Sequence, residues 1–210
     1  MKIINKQISN NRTRVWERKI KYIVIHDTGN VRNGANAEMH WKYFEKKYRG
    51  ASADFFVDDK EIYQINDFTM YKTWHVGDGK NKYGINNSNS IAIELCVNSD
   101  ADPEKAYQNL VTLTKYLIEF LNIPAENVVR HYDASRKNCP SSMAKNDWEK
   151  WKKFKEDLAE IKEKKIETVE EALQYLTEIK VINSPRYWLK VSAVIKYFDI
   201  FLINIANRLH

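Results

Sequence analysis

SIAIELCV, residues 90–97, is the stretch from which the fold is read. Successive strand side chains point to opposite faces, so Ile91, Ile93, Leu95 and Val97 share one face and Ala92, Glu94 and Cys96 the other. Upstream, KYIVIHD (21–27) is β-branched, ends at the turn-forming DTGN and reads as a buried strand. Downstream, Asp102 caps a helix to Leu121, with Pro103 at its first position and Leu110, Val111, Leu117 and Leu121 as its inner stripe. Residues 36–48 set Ala37, Trp41, Phe44 and Tyr48 at helical spacing behind Asn36 as cap. ASADFFVDD followed by KEIYQI predicts a hairpin, residues 77–90 a long Gly/Asn-rich loop, and NVVRH a short strand ending at His131. A further helix starts near Asp147 and carries Trp148, Trp151, Leu158 and Ile161. Strands interleaved with helices predict a mixed α/β core whose functional residues sit at strand ends.

The charged run EIKEKKIET lacks a core stripe and places a domain boundary near residue 165. Residues 1–165 form the main domain and 166–210 a small helical module. In the module, Thr168 caps VEEALQYLTEIK, and Asn183 or Ser184 with Pro185 begins one long helix to Arg208. A module this small docks on a neighbour or self-associates. The chain has 210 residues, 43% of them hydrophobic, and a net charge of +6. Five basic and five acidic residues fall in 166–210, so the whole excess lies in the first part. A pI near 9.1 favours anionic partners. The lysines scatter among acids without a nucleic-acid-reading motif, so nucleic acid is not expected as a partner. Two cysteines make no disulfide framework, and Cys96 suits a buried free thiol. MKIINKQISNNRTR lacks the apolar core of a secretion signal. Val191 to Leu209 is broken by Lys196, Asp199 and Asn204, so membrane insertion is not expected.

HYDASRKNCP, residues 131–140, sets an imidazole, an ammonium and a thiol close together. His26 and His131 each end a strand, and Cys139 lies within a loop's reach. Imidazole and thiolate are zinc ligands, and catalytic zinc takes three protein donors and leaves a fourth position open. A structural histidine and a core cysteine would give the same spacing. Glu94 stands between the small Ala92 and Cys96, which leave room for a ligand; an exposed strand face would read alike. Lys137 suits either an oxyanion or plain solvent. His75, in KTWHVGDG, either lines a cleft or hydrogen-bonds the base of the following loop.

The segments IVIHDTGN, ASADFFVDD, TWHVGDG, NSIAIELCV and VVRHYDASRKNCP, in that order, resemble the zinc N-acetylmuramoyl-L-alanine amidases. That family includes phage endolysins, bacterial autolysins and peptidoglycan recognition proteins. The resemblance spans residues 18–158 and implies a central mixed β-sheet flanked by helices, with zinc in a groove on one face. It implies His26, His131 and Cys139 as metal ligands for Zn2+ and Glu94 as the acid that activates water. It further implies Lys137 as the oxyanion partner and His75 as a substrate-binding residue lining the groove. Some members carry a catalytic tyrosine or a histidine on the strand matching ASADFF. Ala53 and Asp54 stand there instead, which shifts the weight to Glu94.

The implied activity is cleavage of the peptidoglycan amide bond between N-acetylmuramic acid and L-alanine. The rival is a recognition module of the same fold that binds without hydrolysis, although such proteins tend to lack the cysteine. ALQYL and INSPRYW resemble the small helical modules of some clostridial lytic enzymes. This implies wall binding, with a secondary wall polymer as ligand and Tyr187 and Trp188 either stacking on sugars or joining the helix core. The expected pattern is that of an endolysin: made in a host cytoplasm without a signal peptide, then acting on the cell wall after release.

Overall fold

The computed structural model describes residues 3–159, 168–193 and 198–210. Its contacts divide into two compact units, Met1–Ile161 and Lys162–His210. The expected boundary residue, 165, and the expected core residue Ile161 lie outside the described residues.

The first unit runs β1 (Ile3–Asn5), β2 (Arg12–Arg14), β3 (Tyr22–Asp27), α1 (Ala37–Lys46), β4 (Phe55–Val57), β5 (Ile62–Gln64) and β6 (Tyr71–Thr73). It continues through β7 (Ser90–Leu95), α2 (Pro103–Leu121), β8 (Val128–Arg130), α3 (His131–Ser135) and α4 (Lys145–Ala159). Six strands form one sheet in the order β1-β5-β4-β7-β3-β8, and β2 and β6 form a separate antiparallel ribbon. β3 is parallel to β7 and β8, β4 to β7 and β1 to β5; the β4–β5 hairpin is antiparallel. This is the mixed sheet flanked by helices that the sequence implies.

The alternation in β7 sorts two cores. Ile91, Ile93 and Leu95 join Ile23 and Ile25 of β3, Leu110, Leu113 and Leu117 of α2, and Trp151, Phe154 and Leu158 of α4. Ala92 and Cys96 face the other way, onto Ala37, Phe56 and the half-buried Trp41 and Phe44. Each large aliphatic chain so buried stabilises the fold by about 1.5–3 kcal/mol. Asp102 caps α2 as expected, its carboxylate accepting from the Glu104 and Lys105 amides.

Three details depart from expectation. Tyr48 is not on α1, which ends at Lys46; the Asn11 amide donates to the carbonyls of Phe44 and Lys47 and closes the helix there. His131 does not end β8 but begins α3. The Asp133 carboxylate takes the Arg130 amide and guanidinium and turns the chain into that short helix. Trp148 packs half-buried against the core, but Asn146, Asp147 and Trp148 hold left-handed backbone inside α4.

In the second unit, α5 (Val169–Glu178) starts in a capping box between Thr168 and Glu171. It is followed by α6 (Pro185–Ser192) and α7 (Phe198–Leu209), so the one long helix expected from Pro185 is corrected to two. The Trp188 and Phe198 rings stack 6.0 Å apart. Ten residues of straight helix would separate them by about 15 Å. Leu173 and Leu176 of α5 meet Leu202 and Ala206 of α7 in a core that includes Trp188, while Tyr187 is exposed.

Candidate metal centre

Three neighbouring parallel strands carry the centre at their C-terminal ends, the edge where open α/β sheets bind ligands. The β3–β7 register sets His26 directly beside Glu94. β8 is in register with β3 as far as Arg130 opposite Ile25, so His131, one residue on, comes level with His26. Cys139 is delivered by the loop after α3, which folds back so that its carbonyl accepts from the Tyr132 amide at 3.0 Å.

One ligand atom from each of His26, His131 and Cys139 lies within 4.8 Å of the others, and all three residues are buried. The imidazoles of His26 and His131 meet edge to face at 4.6 Å. Cys139 Sγ is 3.7 Å from His26 Nδ1, and Glu94 Oε1 is 4.0 Å from that same nitrogen. Lys137 is exposed, within electrostatic reach of His26, His131, Glu94 and Cys139.

Burial governs the charges. It holds His26 well below the usual imidazole range, with His75, His131 and Lys137 adding to the effect. It pushes the Cys139 thiol up to about 12, helped by the charge of Glu94. It pushes Glu94 up to about 8, helped by Asp27 and opposed by Lys137. Two buried atoms here, His131 Nδ1 and Glu94 Oε2, have no hydrogen-bond partner. A thiol and a carboxylate kept from ionising, beside an orphaned imidazole nitrogen, form a set that a cation would satisfy. A bound cation is the largest local charge and favours the thiolate, the carboxylate and the neutral imidazole together. Two nitrogens and one sulfur are donors suited to zinc. The residues present therefore fit that ion.

Four residues that the sequence reading left out support the donors. Asp78 accepts from His131 Nε2 at 2.9 Å and from the Ser135 hydroxyl at 3.0 Å. Asp27 accepts from the Ser142 amide at 2.6 Å and from the Ser141 hydroxyl, which ties the loop after Cys139 to the end of β3. Arg18 donates to the carbonyls of Phe68, Tyr71, Asn87 and Ser90. Ser90 takes part through its hydroxyl. Asp27 follows His26 and Asp78 comes three residues after His75, the one local signal that could have pointed to them.

His75 lies between His26 and Ser90. It is 9% exposed, and its ring nitrogens are engaged by His26 on one side and Ser90 on the other. Burial, then the charge of Arg18, pulls it down to about 3, so it is neutral. Ala53 and Asp54 are also buried. Asp54 accepts from Asn66, Thr73 and the Ala92 amide. Two hollows open at this edge of the sheet. One of 450 Å³ is lined by Thr28, Asn30, Arg32 and His40, and one of 360 Å³ by Val97, Asn98, Ser142 and Lys150. Neither is lined by the three donors themselves.

Fold and donor set together describe a hydrolase-like metal centre on a mixed sheet, and comparison with known proteins gives the family. Residues 16–142 match the family described as N-acetylmuramoyl-L-alanine amidase (Amidase_2), and the chain belongs to it. It is 42% identical over 122 residues to the N-acetylmuramoyl-L-alanine amidase CwlH of Bacillus subtilis, covering 58% of this chain and 48% of that protein. To the N-acetylmuramoyl-L-alanine amidase XlyA of the same organism it is 40% identical over 134 residues, covering 62% and 42%. The solved catalytic domain of XlyA superposes with a TM-score of 0.67 at 36% identity, covering 75% of this chain and 99% of that domain. The chain thus spans about half the length of the curated relatives it matches.

Proposed function

We propose that the protein is a zinc-dependent N-acetylmuramoyl-L-alanine amidase of the endolysin kind, cutting peptidoglycan between N-acetylmuramic acid and L-alanine. The observation that carries this reading is the convergence of His26, His131 and Cys139, with Glu94 beside them, in a chain of this family. His26, His131 and Cys139 would hold the zinc. When bound, zinc supplies Lewis acidity that makes water nucleophilic near neutral pH and polarises the scissile carbonyl.

Glu94 is assigned as general base. Its Oε2 is buried and, among the described residues, has no hydrogen-bond partner, which leaves it free to take a proton from the attacking water. The same carboxyl then returns that proton to the departing alanine nitrogen. Lys137, an exposed lysine two residues before Cys139, is assigned to the oxygen of the attacked carbonyl, where its positive charge stabilises developing negative charge.

The C-terminal unit is assigned to wall binding, with a secondary wall polymer as ligand. The neutral charge of residues 166–210 leaves recognition to shape and stacking, for which Tyr187 is exposed and Trp188, half-buried in the core, is not. Self-association is assigned to the same unit, where Ile200 and Phe201 of α7 are exposed. The site of action is the bacterial cell wall. Among the described residues, no helix is long and apolar enough to cross a membrane.

Mass spectrometry of purified peptidoglycan, digested with and without a zinc chelator, tests the reading. Peptides with a free N-terminal alanine and stripped glycan strands are expected, both lost on chelation. New reducing sugar ends would overturn it in favour of a glycosidase. Binding without any product would make the protein a recognition module.

A further inference from the structure

We propose that His75 is a positioning residue that decides which nitrogen of His26 is free to bind the metal. The inference rests on reading His26, His131 and Cys139 as ligands, and it assigns to His75 a role behind the site instead of in the substrate groove.

The argument starts from the far end of a hydrogen-bond chain. The Asn86 carbonyl can only accept, and the Ser90 hydroxyl lies 2.6 Å from it, so Ser90 gives its one proton there. That leaves Ser90 Oγ as an acceptor toward His75 Nε2 at 3.2 Å, which must therefore carry the proton. Both rings are buried, and among the described residues no carboxylate makes a hydrogen bond to His75. A neutral imidazole has one N–H, so His75 Nδ1 is bare and accepts. Its partner at 3.2 Å is His26 Nε2, which must donate. The single proton of His26 is thereby held at Nε2, and the lone pair is left on Nδ1. Nδ1 is the nitrogen 3.7 Å from Cys139 Sγ.

Every link points one way, and the direction is set by a backbone carbonyl, with no metal invoked. The far end is also anchored. Arg18 donates to the Asn87 and Ser90 carbonyls, and the Asn87 side chain accepts from the His75 and Val76 amides at 3.0 and 2.9 Å. The backbone that carries His75 is therefore fixed, and turning its ring would break its bonds to His26 and Ser90. With the other tautomer, His26 would present an N–H to the thiol, and its ligand nitrogen would have to be deprotonated before it could bind. Partners that hold a ligating imidazole in this manner are worth about 10- to 100-fold in metal affinity.

The test uses the full chain, with zinc affinity measured by competition with a chelator and histidine tautomers by long-range proton–nitrogen NMR. In the metal-free protein, His26 and His75 are both expected to carry their proton on Nε2. His75→Phe is expected to weaken zinc binding about 10- to 100-fold, while His75→Gln, whose amide both accepts and donates, restores most of it. A metal-free protein with His26 protonated on Nδ1 overturns the proposal, and this measurement needs no variant. A folded His75→Phe that binds zinc as tightly as the unmodified chain overturns it too, as does a His75→Gln no better than Phe. Should the unmodified chain bind no zinc at all, the ligand reading falls, whereas the tautomers in that sample still decide the direction of the chain.

Discussion

The strand side and the loop side of the centre are held by different forces. His26, Asp27 and Glu94 ride on β3 and β7, where a parallel ladder with hydrophobic chains packed on both faces fixes their register. His131, Cys139 and Asp78 ride on α3 and on loops, held by a few side-chain bonds and one close backbone approach. A sheet slips by whole residues at the cost of its core, so strand-borne groups are fixed all together or not at all. Loop-borne groups depend on individual contacts and can be loosened one at a time. Changes of chemistry on either side should therefore remove function outright, whereas changes of support should show graded effects on the loop side.

The largest expected effect is at Cys139. Cys139→Ser removes the thiolate donor and is expected to lower both zinc content and hydrolysis by more than about 100-fold, with little change in circular dichroism. Full zinc with full activity would take Cys139 out of the donor set. Glu94→Gln on the strand side should separate the two readouts. The amide keeps the shape, so zinc binding is retained while turnover falls by about 10²- to 10⁴-fold. Turnover close to that of the unmodified chain would end the general-base assignment.

These two residues also mark how far the sequence could be read. The alternation of SIAIELCV placed Glu94 on a face with Ala92 and Cys96, and the structure puts those two on the opposite core from Ile91 and Ile93. The helix from Asp102 to Leu121 was legible because cap, proline and stripe agree. The His26, His131 and Cys139 set was legible through the order of five segments, since spacing alone suits a structural histidine as well. What escaped was whatever depends on one long-range contact. Nothing local in TWHVGDG says that His75 faces His26 while Asp78, three residues on, faces His131. Nothing in the apolar pattern from Pro185 onward says that Trp188 and Phe198 stack, which requires two helices where the periodicity allows one.

Gly79 sharpens the comparison on the loop side. A Cβ added there would lie 2.2 Å from the Ala134 carbonyl oxygen, a backbone atom of the short helix that carries His131. Gly79→Ala must push the 77–79 turn and α3 apart. The expected cost is about 1–3 kcal/mol of stability, read as a lowered melting temperature. Zinc affinity should fall as well, because Asp78 moves with the turn. A melting temperature unchanged by the substitution would mean that the turn yields freely, and that the loop side is not held by close approach.

Asp78→Asn is the mildest test and the most discriminating. The carboxylate is half-exposed, and its bond to His131 Nε2 shares its load with the Ser135 hydroxyl. Asparagine can still accept from His131 through its carbonyl oxygen, so orientation survives while the negative charge is lost. Zinc affinity is expected to drop by about tenfold, the lower end of the range for a partner behind a ligating histidine. His75→Phe, which removes the acceptor behind His26, should cost more, because among the described residues His75 is the one that hydrogen-bonds His26 Nε2. Measured side by side, the two variants separate charge from direction. If Asp78→Asn costs as much as His75→Phe, the negative charge behind His131 matters more than the bond it shares. If it costs nothing, the loop-side histidine is held by packing alone and the difference between the two halves of the centre narrows to their backbone.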